Sequence, residues 1–312
     1  MNRDEDVLDT KGDNGELITL DEIEFSKIPF SKKEIEKYSS ENDYMRLIVE
    51  MFKEMVTINH YNSNALRLDE KENPRYWTRD EAILGGMMVR LTKLLMGIID
   101  LTCQHKWEIA NILFRSAIET GINIRFLIKK NTKDAFQEYI KYSLKSEKKL
   151  WDRIKLNIKE SGEEQPIEKR MKKSIKKSFL KSGYKPDEID YKQKSWGGSI
   201  YNRFEKVGWQ KIYLGGFVLP SHAVHGNWED ILRNHIKETP SGYKPDSSWT
   251  NPRPQPLIML ILLVLEVNID YLNDLLPECD DKTELLGKID DLQFRAMKVN
   301  SLHEQFLQKN AN

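Results

Sequence analysis

Residues 87–130, MMVRLTKLLMGIIDLTCQHKWEIANILFRSAIETGINIRFLIKK, are the longest strongly apolar stretch of the chain, and their apolar residues recur at helical intervals. A period of three to four residues over such a length commits this part to α-helix. A turn near 104–105 is expected to fold it into an antiparallel pair of long helices. Arg115 and Glu119 stand at the middle of the second helix, among Ile112, Leu113, Ile118, Ile122, Phe126 and Leu127. Four positions apart, they share one helix face. A charged pair in so apolar a helix is either a structural ion pair or half of a site. Spacing leaves both readings open, because structural pairs imitate functional ones. Removing one partner of a buried pair costs about 3–5 kcal/mol, so a structural pair is also indispensable.

The same period runs through most of the chain. Tyr44, Leu47, Ile48, Met51, Met55 and Ile58 predict a helix over 41–67. Thr78 is placed to cap a helix from Arg79, with Asp80 and Glu81 in its first turn, where they suit the dipole. Gly85-Gly86 then permits close packing or a small bend. Thr132 caps a predicted helix over 133–159. Pro166 opens a basic amphipathic segment with Ile167, Met171, Ile175 and Phe179 at intervals of four, and Lys172, Lys173, Lys176 and Lys177 among the residues between. Residues 187–220 are turn-rich, a helix is expected to run to 236, and 239–256 is irregular. The hexapeptide SGYKPD occurs at 182–187 and again at 241–246, which predicts two similar turns. Helices over 256–276 and 283–306 complete the chain. Strand signals are weak throughout.

These elements predict an all-α protein: one domain over 41–312, a bundle of seven to nine helices, with a basic insert at 166–186. Residues 1–40 read as an extended or disordered acidic lead, in which Ser31 and Glu34 have the spacing of a capping box. That lead has no apolar core, so it is no secretory signal. The apolar run 257–265 stops at Glu266, well short of the roughly 20 apolar residues a span needs, and reads as a buried helix. A cytoplasmic location is expected and a membrane role is not. Cys103 and Cys279 read as reduced thiols, buried or half-buried. No Cys/His cluster marks a zinc site, and neither metal nor cofactor is expected. The formal net charge of +0 gives the whole chain no bias toward nucleic acid or membrane, although local patches act on their own account.

The densest polar cluster is SHAVHGN at 221–227. No HExxH pattern joins its two histidines. His225 suits general acid–base work, because imidazole titrates near neutrality. Equally, it is placed to donate to a buried carboxylate such as Glu119. Ser221, His222 and Asn227 are candidate substrate contacts. Lysines 172, 173, 176 and 177 are a solvated face, contacts to an RNA backbone or a patch for an anionic membrane surface. Arg233-Asn234-His235 resembles the Arg-to-His motif of the HEPN ribonucleases, small helical RNA-cleaving domains. That motif separates Arg and His by several residues and here there is one, so no site is carried over.

LFRSAIETGINIRFLIKK at 113–130 and YLGGFVLPSHAVHG at 213–226 resemble a family of uncharacterised bacterial helical proteins, known only as a domain of unknown function. The shared features are an Arg-x-x-x-Glu helix, an aromatic-rich stretch and a Ser-x-x-x-His turn, here Arg115, Glu119, Ser221 and His225. The resemblance covers roughly residues 80–275. It implies a helical body in which Arg115, Glu119 and His225 meet, and it supplies no activity. A looser likeness to HEPN-type and phage-defence helical proteins is one of style.

The expected function is a bacterial defence or toxin-like effector that cleaves RNA without a metal. His225 would act on the 2′-hydroxyl, Arg115 would stabilise the phosphorane, Glu119 would orient it, and the lysines would hold backbone. The alternative is a non-enzymatic interaction or regulatory module, self-associating or bound to a partner protein, in which the same residues form a structural network. No P-loop, Rossmann fingerprint or nucleophile elbow is present.

Overall fold

The computed structural model describes residues 30–65, 67–69, 71, 73–275 and 280–310. One helical turn, α1 (Lys32–Ile35), precedes α2 (Glu41–Asn64) and a short antiparallel strand pair, β1 (Arg67–Leu68) and β2 (Pro74–Arg75). The long hairpin follows as α3 (Arg79–Cys103) and α4 (Trp107–Lys130). Then come α5 (Lys133–Ser143), α6 (Lys145–Ser161), α7 (Pro166–Ser182) and α8 (Ile200–Val207). A π-helical turn, Tyr213–Val218, runs directly into α9 (Leu219–His225), followed by α10 (Trp228–Asn234). An antiparallel hairpin, β3 (Ile236–Thr239) and β4 (Gly242–Pro245), leads to α11 (Pro254–Leu275) and α12 (Asp280–Asn310).

The all-α class is as expected, but the described residues hold eleven helices longer than α1, not seven to nine. Leu144 divides the predicted 133–159 helix into α5 and α6, and Gly226, at φ 55°, ends α9 before Asn227 caps α10. The region 236–245, expected to be helix end and irregular chain, forms the β3–β4 hairpin instead. Ser31 precedes α1, but its side chain makes no capping bond, so that capping box is absent. Thr78 does cap α3: Thr78 N–H donates to Glu81 Oε2 at 2.7 Å, and Glu81 N–H donates to Thr78 Oγ1 at 3.4 Å.

The chain divides into two compact units, Met1–Ile128 with Lys211–Asn312, and Lys129–Gln210. In the first, α2 packs on α3 and on α11, and α12 closes against both α2 and α11. Phe52, Met55, Met88, Leu91, Phe114, Ile118, Leu260 and Val264 are buried there, each contributing about 1.5–3 kcal/mol of transfer free energy. α3 and α4 run antiparallel, since Gly97 faces Leu113 and Arg90 donates to Thr120. A buried amide ladder fixes the register of α2, α3 and α11. Asn59 donates to Thr92 at 2.8 Å, Asn62 to Asn268 at 2.7 Å, and Asn268 to Asn59 at 3.0 Å. Buried polar networks of this kind specify one packing among many apolar alternatives. Arg295 pairs bidentately with Glu54 between α12 and α2, and Arg125 of α4 pairs with Glu266 and Asp270 of α11.

α3 and α11 are long and apolar enough to cross a membrane by length and composition. Half or more of their most apolar window is buried inside the protein, 50% and 61%, which is the behaviour of core helices. The 257–265 run lies on the buried side of α11, as its sequence implied.

In the second unit, α6 and α7 pack through Trp151 and Ile154 against Ile175 and Phe179. Trp196 is held between Tyr139, edge-on at 4.9 Å, and the Arg203 guanidinium at 4.4 Å. The two copies of SGYKPD differ, which corrects the expectation of two similar turns. At 182–187 the segment ends α7, with Gly183 at φ 74°, and enters a 3-10 turn. At 241–246 it turns the β hairpin, with Gly242 at φ 132°. Only the positive φ is common to both, a conformation open to glycine at little cost. Cys103 is exposed at the end of α3 rather than buried. Cys279 and residues 1–29 of the acidic lead lie outside the described residues.

Candidate functional site

Pro220 sets the local geometry. It has no N–H to offer the Gly216 carbonyl four residues back, and its ring crowds that carbonyl. The preceding turn widens into π geometry, in which Leu219 N–H donates to Leu214 O, five residues back. Gly216 sits in that turn against α4 and α11. A side chain there would come within 3.3 Å of Ile118 Cδ1 and 3.4 Å of Met259 Cε.

The widened turn presents Phe217 and Ser221 to Arg115. Arg115 Nε donates to Ser221 Oγ at 2.7 Å, and Nη1 donates to Glu119 Oε2 at 3.0 Å. The Arg115 guanidinium lies 4.3 Å over the Phe217 ring, which itself stacks on Tyr213 at 5.8 Å. The Ser221 hydroxyl itself donates to Phe217 O at 2.6 Å. Arg115 is therefore a clamp that joins α4 to the π turn and α9. Its side chain is 21% exposed and that of Glu119 37%, so the pair sits at the surface edge of the core rather than deep within it.

One turn toward the N-terminus of α4, Asn111 borders a cleft of about 460 Å³. Its other walls are α9, α10 and the chain leading to α11, and they bring His222, Glu229, Asp230, Arg233 and Arg253 to one space. Arg233 and Arg253 are exposed, and neither makes an ion pair or hydrogen bond to a described residue. Asp230 is buried. Its carboxylate accepts from Asn234 Nδ2 at 2.9 Å and faces His235 Nε2 at 3.3 Å. Asn234 in turn accepts from the Thr250 hydroxyl, and Thr250 N–H donates to the buried Glu108 carboxylate at 2.5 Å. These bonds tie α10 and the 246–253 connection to the start of α4, and hold the cleft open between them.

The structure brings together Arg115, Glu119 and Ser221, and places His222 in the adjoining cleft. His225 makes no hydrogen bond or ion pair with them. His225 ends α9 exposed, and donates neither to Glu119 nor to any other described residue. Asn227 spends its side chain on capping α10, accepting from Asp230 N–H at 3.2 Å. The lysines at 172, 173, 176 and 177 belong to α7 in the other unit. Lys172 pairs with Glu164 at 3.0 Å, and Lys172 and Lys176 lie over the Trp151 ring at 5.9 and 5.8 Å. Among the described residues no group of three or more His, Cys, Asp or Glu is placed to hold a metal ion. Sequence reasoning missed Asn111, Arg253 and Phe217 as site residues, and named Arg233 only within a motif from which no site was carried over. Of the three missed, Asn111 carried a signal, being one helical turn from Arg115.

A family described as "Family of unknown function (DUF5677)" matches residues 81–243, a span that holds Arg115, Glu119, Ser221, His222 and Arg233. No curated protein and no solved structure matches the chain. The likeness to HEPN ribonucleases finds no support in these comparisons.

Proposed function

We propose, for a chain that belongs to this family of unknown function, an RNA-cleaving activity of the defence or toxin-like kind, seated in the cleft beside the Arg115 clamp. The observation that carries it is the meeting of two guanidiniums with no ion pair among the described residues, Arg233 and Arg253, with the His222 imidazole around one cleft. Guanidiniums bind phosphate oxygens through paired N–H donors, and a histidine can take a proton at neutral pH. In this reading His222 removes the 2′-hydroxyl proton. The 2′ oxygen bonds to phosphorus as the bond from phosphorus to the 5′ oxygen breaks, and the departing 5′ oxygen takes a proton from water. Arg233 and Arg253 hold the charge on the phosphorane oxygens. Arg115 and Ser221 are positioning residues, which seat α9 so that His222 faces the cleft. The RNA is cut in the cytoplasm. The test is cleavage of total RNA by the wild type, His222→Ala and Arg233→Ala; equal cutting by all three removes this assignment.

A second reading has its own support. Arg115 has Nε and Nη1 committed to Ser221 and Glu119, as in a purely structural network. Leu214 and Leu219 beside it are exposed apolar side chains, suited to self-association or to a protein partner. A wild type that cuts no RNA and sediments as a dimer would favour that module.

A further inference from the structure

The β3–β4 hairpin sorts its charges by face. Lys237 stands directly opposite Lys244, and Glu238 opposite Tyr243. Directly opposed residues share a face and successive residues alternate. The two lysines therefore occupy one face, and Glu238 and Tyr243 the other. Asp246 answers the lysines: its carboxyl is held below its ordinary range first by the Ser248 hydroxyl and backbone N–H, and then by Lys237 and Lys244. Glu238 has no such counterpart. It is exposed, and its carboxylate has no ion-pair partner among the described residues.

On that carboxylate face the Tyr243 ring meets the ring of Trp228, the first residue of α10, at 5.9 Å between centroids and 89° between planes. Two rings at right angles are two walls of an open corner. Both remain 55% exposed, so neither is spent as core. Elsewhere in the protein Trp151, Trp196 and Phe217 each hold a cation of the chain against their faces. Among the described residues none stands over Trp228 or Tyr243. Aromatic faces carry negative potential, and here the Glu238 carboxylate adds to it while the hairpin's lysines point the other way.

We propose that Trp228, Tyr243 and Glu238 form a binding site for an organic cation whose charge sits on a methylated nitrogen, a trimethylammonium group. Rings attract a cation through their quadrupoles, tryptophan most strongly. A primary ammonium or a guanidinium would have to give up hydration to reach two half-exposed rings, and one surface carboxylate returns little for that loss. A trimethylammonium has no N–H to hydrate. Its methyl groups pack on the ring faces, and its charge is answered by Glu238 from the same side. The site makes no use of the cleft and stands or falls apart from RNA cleavage.

The experiment titrates the full chain with choline and follows saturation transfer from the protein to the ligand methyl signal. The comparison probe is the tert-butyl analogue of choline, in which carbon replaces nitrogen and the charge is gone while the shape is kept. Choline is expected to bind about fivefold more tightly than the analogue, the size of an exposed cation–π contact. Trp228→Leu keeps apolar cover on Tyr243 but offers no ring face, and should weaken choline about fivefold, whereas Trp228→Phe retains most of the affinity. Glu238→Gln should weaken it about two- to fivefold and flatten its dependence on salt. Lys237→Ser with Lys244→Ser should leave binding unchanged or tighter, and thermal melts check that each variant is folded. Equal binding of the uncharged analogue, indifference to Trp228→Leu or Glu238→Gln, loss of binding on removing the lysines, or no binding of choline overturns the site. Sedimentation with phosphatidylcholine vesicles then separates the two sources of the group: a lipid head group carries the protein down, and a free cation leaves it in solution.

Discussion

Arg115 Nε donates to the hydroxyl of Ser221 at 2.7 Å, a bond between residues 106 positions apart that joins α4 to the turn carrying His222. Ser221→Ala leaves that N–H without its acceptor. A hydrogen bond to a charged, partly exposed group contributes about 1 kcal/mol, so the unfolding free energy from urea titration should fall by that amount, with a lower midpoint. RNA cleavage should drop further than the stability loss explains, because α9 loses its anchor. A Ser221→Ala protein with unchanged midpoint and unchanged cleavage would count against the clamp.

His222 and His225 make a sharper pair. Loss of a general base lowers turnover by about 10²–10⁴-fold, so His222→Ala should be nearly inactive while melting like the wild type. His225→Ala should cut RNA at close to the wild-type rate. The reverse pattern would return the chemistry to His225.

Two adjacent glycines should respond with opposite signs. A methyl group at Gly85 would lie 2.5 Å from the Trp77 ring, whereas one at Gly86 meets nothing within 4 Å. Gly86→Ala is expected to stabilise by about 0.5–1 kcal/mol through helix propensity. Gly85→Ala should cost about 1–3 kcal/mol as the ring is displaced. Thermal melts of the two variants decide it, and equal shifts would mean that Trp77 yields freely.

Acid should weaken the fold through His303. It is wholly buried beside Tyr44, and burial lowers its pKa more than Glu41 and Glu304 raise it. A histidine kept neutral in the fold binds fewer protons than in the unfolded chain. Its contribution is complete above about pH 6.5, the unfolded value, and is lost as pH falls toward the folded value. His303→Phe should flatten stability against pH in that window, as read from urea titrations at several pH values.

A second acid limb belongs to Glu81. Arg75 is the main cause holding its carboxyl at about 2, and the Thr78 backbone N–H and Arg67 reinforce it. A depressed carboxylate stabilises the fold above its unfolded value, near 4.5, and loses that contribution as pH falls through about 2. Glu81→Gln should abolish the dependence between those limits, with no change at neutral pH beyond a constant offset.

Much of this was legible in the sequence for physical reasons. α3 and α4 were visible because a buried helix face must repeat every three to four residues, and Thr78 because a helix start needs a side-chain acceptor. Arg115 and Glu119 pair as their spacing required, since that bond is local. The break at Leu144 had no glycine or proline to announce it. SGYKPD folds two ways because its neighbours, the end of α7 in one case and β3 in the other, outweigh six residues of local preference. Arg233 and Arg253 lie on separate elements with no shared period, so only tertiary packing brings them to His222. The hairpin was missed because its residues face solvent on β4 and show no alternation of polar and apolar.

The π turn before Pro220 has a consequence for how this region can change. A helix rotates its side chains by about 100° per residue, and the wide turn adds a residue without adding a turn. It therefore sets the angular phase of everything after it. Restoring regular winding, or deleting one residue from 213–218, would swing Ser221 away from Arg115 and carry His222 off the cleft wall, with every side chain chemically intact. A substitution here acts at one position, whereas a change of length moves every side chain that follows.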